Sequence, residues 1–373
     1  MTYKLLHIHS NPVFIEGTLR YQNKAFINKI IYFGEKSNKI ESKLKTLPFE
    51  YEIVNTTKRI IEEASNYDGL VINELNQTNI TLLQALPDNI KIFLRLFGGE
   101  LYSKNIPKYV SKKTFYSIYN ISNNKFSPLR YLKLLKRKVF KVGYKYNKDE
   151  LTKVYKRIDA ILLFNKFEYD ALKEDFYLPK YIQLALNRQV NFEFHKKDNT
   201  IILGNSRHFW NNHLDVFDEL SKANIPDGIS FKLFFSYGNV LFYEDEVKEK
   251  ANELSNTEVI ERFLPADEFE TIYNSASALV INSYRQHALG NIFTALLGGC
   301  KIYLNKKSST YQWLKSENFY VSELNELAKD IESGNYKLKY EEMLHNVQTY
   351  EKLQREYTIS EFSEALIDVL KNN

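Results

Sequence analysis

The stretch Ile201-Ile202-Leu203-Gly204-Asn205-Ser206-Arg207-His208-Phe209-Trp210-Asn211-Asn212-His213, continued by Leu214-Asp215-Val216-Phe217, decides the fold. An apolar strand runs into a glycine turn, a polar loop and then a helix. In an open α/β sheet, ligands bind in the crevice beyond the C-terminal strand ends. Gly204 permits the tight turn that such an exit needs. Asn205, Ser206, Asn211, Asn212 and His213 gather hydrogen-bonding groups on one loop and one helix start, which suits a phosphorylated or sugar-bearing ligand. A plain solvated connection with Asn212 as N-cap reads the same residues.

The pattern repeats on both sides of this stretch. Toward the N-terminus, strands are predicted at 5–9, 30–33, 69–73, 91–97 and 160–164, with helices at 18–31, 57–63, 79–86 and 166–174. After a polar stretch at 187–199, strands follow at 200–204, 230–236, 278–283 and 301–304, with helices at 212–223, 243–254 and 291–297. Strands alternating with helices imply βαβ units and a mostly parallel sheet. Two such units in 373 residues predict two Rossmann-like domains, 1–190 and 198–373, facing a central cleft. The C-terminal helix is free to pack back on the first domain.

Composition narrows the class. A single cysteine, Cys300, excludes an intramolecular disulfide and a cysteine-built zinc site. The start of the chain is too short and polar for a signal peptide, and no run reaches the ~20 apolar residues of a spanning helix. A cytoplasmic or peripheral protein is expected. The net charge of +5 hides an asymmetry: 103–157 carries 16 Lys and Arg against two acids, Asp149 and Glu150. Basic residues interleaved with aromatics and leucines over 126–146 favour a membrane-facing patch over nucleic acid. Lys136, Arg137 and Lys138 are its centre.

Two further segments carry candidate chemistry. In Leu279-Val280-Ile281-Asn282-Ser283-Tyr284-Arg285-Gln286-His287-Ala288-Leu289-Gly290-Asn291, a buried strand leads through a polar loop into a helix. A helix N-terminus offers free N–H groups suited to a pyrophosphate, Arg285 can add a bidentate contact, and Gly290 lets backbone approach closely. In Ile92–Tyr102, Glu100 follows a strand end and Gly98-Gly99. Glu100, or Glu74 behind another strand, could serve as general base; each reads equally as a capping or surface carboxylate. His7 and His9 are read as facing opposite sides of the first strand, one of them reaching the crevice. Glu244-Asp245-Glu246 falls on successive helix positions that point apart, so no metal site is expected. Neither a Gly-x-Gly-x-x-Gly fingerprint nor a Walker loop is present.

Taken in order, these segments resemble the bacterial 4-acetamido-4,6-dideoxygalactose (Fuc4NAc) transferases of enterobacterial common antigen synthesis. The shared pattern is Gly204-Asn205-Ser206 with Asn211 and His213, then Arg285-Gln286-His287-Ala288-Leu289-Gly290, where Ala288 replaces the family's first glycine. Leu304-Asn305, Gly98 to Tyr102 and Leu19-Arg20 complete it, with Glu100 where the family usually has Asp. The resemblance implies a GT-B glycosyltransferase moving a Fuc4NAc-like sugar from a TDP-sugar to a polyprenyl-diphosphate-linked glycan. The donor would sit against Gly204, Asn205, Ser206, Asn211, His213, Tyr237, Arg285, Gln286, Gly290 and Asn291. The first domain would take the acceptor, with 103–157 on the inner face of the cytoplasmic membrane. No cofactor and no metal are implied. Glu100, Glu74 and Arg285 are the expected catalytic residues. A nucleotide-sugar epimerase, or a non-catalytic membrane- or nucleic-acid-binding protein, are the alternatives.

Overall fold

The computed structural model describes residues 2–119, 148–186, 195–238 and 242–372. They group into two compact units. Unit 1 comprises the described residues within 1–104, 141–188 and 353–373, and unit 2 those within 105–140 and 189–352.

Unit 1 is built on seven parallel strands: β1 (Tyr3–His9), β2 (Phe26–Phe33), β3 (Glu50–Val54), β4 (Gly69–Ile72), β5 (Lys91–Arg95), β6 (Ala160–Leu163) and β7 (Lys180–Gln183), in the order β3-β2-β1-β4-β5-β6-β7. Leu70-Val71-Ile72 and Ile92-Phe93-Leu94 are fully buried, as strands covered on both faces must be. The chain walks outward from β1 to β3, then returns to β4. The β1/β4 gap is therefore the switch point where a crevice opens. Helix Ile359–Lys371 completes the core, packing Phe362, Leu366, Val369 and Leu370 against Leu5, Phe93 and Leu162. Each such side chain contributes roughly 1.5–3 kcal/mol when fully buried.

Unit 2 repeats the plan with β8 (Thr200–Leu203), β9 (Ser230–Phe234), β10 (Thr257–Ile260), β11 (Ala278–Ile281), β12 (Lys301–Leu304) and β13 (Val321–Glu323), ordered β10-β9-β8-β11-β12-β13 and all parallel. Its switch point lies between β8 and β11.

Three expectations change. The helix expected over 18–31 does not form: a 3-10 helix covers Pro12–Tyr21 and β2 begins at Phe26. Pairing decides this, because β2 runs in register with β1 from Tyr3↔Phe26 to His9↔Tyr32. His7 and His9 share a face of β1, as residues two apart on a strand do. Both are buried: His7 Nε2 meets Asn28 Oδ1 at 2.8 Å, and His9 Nε2 meets Thr18 Oγ1 at 2.9 Å.

The basic segment 103–157 is divided between the units. Helix Lys112–Tyr119 belongs to unit 2, where Ser111 N–H donates to Asn212 Oδ1 (2.8 Å) and Ser111 Oγ to Asp215 (2.5 Å). Lys113 pairs with Asp218, and Ser117 donates to Glu246. Carboxylates of helices His213–Leu220 and Phe242–Glu253 thus draw this stretch of the segment onto unit 2. Residues 120–147, with Lys136, Arg137 and Lys138, lie outside the described residues, as does 187–194 of the expected boundary. Among the described residues no helix is long and apolar enough to cross a membrane.

Candidate functional site

In unit 2 the loops beyond β8, β9, β11 and β12 meet at the switch point. A line of asparagines, Asn212 and Asn282 buried and Asn305 partly so, ties three of them. Asn212 Nδ2 donates to the Asn282 carbonyl (2.8 Å), Asn282 Nδ2 returns a bond to the Asn212 carbonyl (3.1 Å), and Asn305 Nδ2 donates to Asn282 Oδ1 (2.8 Å). Asn212 does stand at the N-cap position of helix His213–Leu220, but its φ is +42° and its side chain makes no cap bond. Its amide instead fixes the β8 loop to the β11 loop.

The β8 turn shows why glycine stands at 204. Its φ is +65°, and a Cβ there would come within 2.6 Å of His213 Nε2. Side chains beside it are buried yet incompletely satisfied. Asn205 donates to the Tyr237 hydroxyl (2.7 Å) and Asn211 to the Ser206 carbonyl (3.0 Å), but Oδ1 of each has no hydrogen-bond partner among the described residues. The same holds for His208 Nδ1, His213 Nε2 and His287 Nε2. Such atoms cost about 1–3 kcal/mol each when sealed from water, so five around one turn mark a place prepared for a ligand.

The histidines are neutral. Burial pushes His208 down to about 4, with Arg285 nearby adding to the shift. Burial pushes His213 down to about 3, partly opposed by the Ser206 backbone beside it. Burial and then Arg285 hold His287 well below the ordinary imidazole range. Tyr243 accepts from His213 N–H (2.6 Å) and lies 3.1 Å from Nδ1. If the tyrosine donates there, the Nε2 proton points toward Gly204.

Arg285 supplies the positive charge. Its guanidinium lies 5.0 Å over the Trp210 ring and donates to the Gln286 carbonyl (3.1 Å). Helix Leu289–Leu297 begins four residues after Arg285 with no side-chain cap bond. Ala288, its N-cap, holds φ +56°, a left-handed conformation that costs a non-glycine residue roughly 1–2 kcal/mol. Gly290 is exposed, and a Cβ there would meet nothing within 4 Å. Asn291 donates to Tyr273 (2.9 Å), which commits its amide to the fold. Tyr237 stacks on Phe263 at 5.8 Å with the planes 13° apart; Phe263 is 74 % exposed.

Of the expected site residues, Gly204, Asn205, Ser206, Asn211, His213, Tyr237, Arg285, Gln286 and Gly290 all fall in these converging loops. His208, His287, Trp210, Asn282 and Phe263 join them without having been picked out. Nothing local marks them, since their roles come from contacts across loops. Glu244 and Glu246 are structural: Glu244 pairs with Arg207 (3.3 Å) and Lys248 (3.1 Å).

The carboxylates of unit 1 separate cleanly. Glu100 is 2 % exposed and accepts from the Tyr155 hydroxyl. Glu74 stands just beyond β4, at the β1/β4 switch point. Its φ is +134°, held by Asn79 Nδ2 donating to its carbonyl (2.7 Å). Its carboxylate is half-buried, makes no ion pair among the described residues, and burial raises its pKa. Backbone strain at a non-glycine residue persists only where the surroundings enforce it, and it collects at functional sites.

No family model and no curated protein matches this chain. Solved structures do. HepE of Anabaena, in complex with UDP and glucose, superposes with a TM-score of 0.61 at 10 % identity over 100 % of both chains. A glycosyltransferase of Rickettsia africae gives 0.62 at 13 % identity, again over 100 % of both. A variant of TarM of S. aureus, in complex with Fondaparinux, α-GlcNAc-glycerol and UDP, gives 0.62 at 9 % identity over 100 % of both. With its two parallel-sheet units, the chain has the fold of the GT-B glycosyltransferases.

Proposed function

We propose that the protein is a glycosyltransferase that takes a nucleotide-sugar donor on unit 2 and its acceptor on unit 1. The observation that carries this reading is the ring of partnerless buried atoms around Gly204, opposite Arg285 and an uncapped helix start. Neutral asparagine oxygens and imidazole nitrogens suit sugar and ribose hydroxyls. A guanidinium and free N–H groups suit a diphosphate. The exposed Tyr237–Phe263 pair offers a stacking face for a nucleobase.

Departure of the nucleoside diphosphate puts negative charge on its oxygens as the sugar gains oxocarbenium character. Donors already oriented at Arg285 and residues 288–290 would stabilise that charge as it grows. Glu74, raised in pKa and without an ion pair among the described residues, is the proposed base for the acceptor hydroxyl in an inverting course. Glu100, committed to Tyr155, has the positioning role. No bound cofactor is invoked, the nucleotide sugar being substrate, and no metal.

The finer reading follows the order of Gly204-Asn205-Ser206, Asn211, His213 and Arg285-Gln286. It names a TDP-linked, Fuc4NAc-like donor and a polyprenyl-diphosphate-linked acceptor met at the inner membrane face, in bacterial surface polysaccharide synthesis. Melting the purified protein with TDP, UDP, GDP and CMP in turn tests both levels. A ligand that binds only the folded state raises the melting temperature. A rise with TDP alone supports the finer reading; a rise with UDP or GDP instead keeps the transferase and changes the donor. No rise with any of the four refutes the donor site.

A further inference from the structure

Asn212 makes the turn at the centre of the unit 2 site, and its side chain has a partner beyond Asn282. With φ at +42°, the chain bends there from the 3-10 turn Phe209–Asn211 into helix His213–Leu220. The bend sets Asn211 before it and His213 after it, each with a buried atom that lacks a partner among the described residues. Asparagine enters the left-handed region only where bonds from its short side chain hold it. The exchange with Asn282 supplies some of that hold. The rest comes from the first half of the chain: Asn212 Oδ1 accepts from the N–H of Ser111 (2.8 Å), and both residues are buried.

Ser111 fastens the same turn a second time. Its hydroxyl donates to Asp215 (2.5 Å), in the first turn of helix His213–Leu220. It also accepts the N–H of Thr114 (3.0 Å), which caps helix Lys112–Tyr119. One residue thus grips positions 212 and 215, which bracket His213. Thr114 adds a parallel route: it is fully buried and bears on the hydroxyl of Tyr243, the group that accepts the His213 N–H (2.6 Å). The other ties of this helix, Lys113 to Asp218 and Ser117 to Glu246, end on helices and touch none of the converging loops. Taking away the Ser111 N–H would leave Asn212 Oδ1 buried and unpaired, which is worse than never having made the bond. The turn relieves that only by opening, and opening carries His213 with it.

We infer that Ser111 is a positioning residue of the donor site: acting through Asn212 and Asp215, it holds the Asn211–His213 turn in the form that receives the ligand. This rests on the transferase reading of unit 2 for the word donor. It gives the start of the basic segment 103–157 a task inside unit 2, separate from any surface its charges serve.

Calorimetric titration with UDP, TDP and GDP tests it, at a temperature where every variant is folded. Ser111→Pro removes both the N–H and the hydroxyl. Val110 before it is already extended (φ −131°, ψ 159°), the conformation that a residue preceding proline favours. This variant is expected to weaken binding of the nucleotide that the parent protein holds best by about tenfold, the order expected when a buried group loses its partner. Ser111→Ala, which keeps the N–H to Asn212, should weaken it less. Ser117→Ala is the control: it loosens the same helix and lowers the melting temperature, yet should bind within about twofold of the parent. Acrylamide quenching gives a local readout, because Trp210 and Trp313 are the chain's two tryptophans and both are buried. Quenching should rise in Ser111→Pro, where the loop carrying Trp210 is released, and stay level in Ser117→Ala. Binding by Ser111→Pro equal to the parent's overturns the inference, and so does an equal loss in Ser117→Ala, which would make the helix a general brace. The donor reading fails separately, and takes this inference with it, if none of the three nucleotides binds the parent protein.

Discussion

The two sheets end in crevices of opposite chemical character. Beyond β8 and β11, unit 2 gathers neutral atoms: amide oxygens of Asn205 and Asn211 and nitrogens of His208, His213 and His287, buried and without partners among the described residues. Beyond β4 and β5, unit 1 presents charged side chains: the Arg95 guanidinium and the half-buried carboxylate of Glu74. Among the described residues, one crevice is short of hydrogen bonds and the other carries charged side chains. Under the proposed function, the same parallel-sheet plan serves two different ligands, the donor on unit 2 and the acceptor hydroxyl on unit 1. The difference also teaches how each site is enforced. Unit 2 relies on the Asn212–Asn282–Asn305 bonds between loops, and unit 1 on a strained backbone at Glu74.

The comparison breaks most readily at Glu74. Glu74→Gln should lower sugar transfer by about 10²–10⁴-fold, the usual contribution of a general base, while nucleotide-induced stabilisation persists. Glu74→Gly should be equally inactive yet more stable by about 1 kcal/mol, because the strained φ is released. An active Glu74→Gln protein would remove the base from unit 1 altogether. Next comes Arg285→Ala, expected to cost roughly 10²–10³-fold in turnover, as loss of a charge-stabilising donor does, together with the nucleotide-induced rise in melting temperature. If the rise survives, the diphosphate is bound elsewhere.

The pH dependence of stability tests a property the crevices share. His7 in unit 1 and His208 in unit 2 are held down to about 4, and His213 to about 3, all below the ordinary value of 6.5. Below 6.5 the unfolded chain takes up protons that the folded chain refuses. Their contribution is complete above about 6.5 and is lost as pH falls toward 4. Urea midpoints measured from pH 8 down to 5 should decline throughout the acid half, and a flat profile would mean that these imidazoles are hydrated. The smallest effect is expected at Gly290. Gly290→Ala has open space and helical backbone, so stability should rise by about 0.5–1 kcal/mol, while nucleotide binding weakens severalfold because the methyl enters the ligand's space. Unchanged binding would move the ligand away from that helix start.

Much of this plan is visible in the residues. All-apolar runs such as Ile201 to Leu203 and Leu279 to Ile281, each ending in a polar or glycine loop, mark buried parallel strands and their ligand ends. The loops at Gly204 and Arg285 follow from the same pattern. What stayed hidden depends on partners far along the chain. Lys29 looks like a break in β2, but it is buried and met by Glu63 (2.8 Å), Glu50 (3.2 Å) and Glu52 (3.5 Å). The Asn212–Asn282 exchange spans 70 residues. Arg95 reads as an ordinary strand-end residue until its place over Phe14 and Phe97 is seen in three dimensions. The segment around Lys113 looked like a free basic face because Asp218, which answers it, lies in the other half of the sequence.

Helix Ile359–Lys371 carries one more consequence. It fills the core of the sheet that begins at Tyr3, whereas unit 2 draws on residues only up to 352. During synthesis the patch around Leu5, Phe93 and Leu162 therefore waits for its last cover while half of the chain is still being made. Unit 2 can close before it. The patch of the first core that this helix covers stays exposed until nearly the whole chain is made, and exposed apolar surface of this kind invites aggregation.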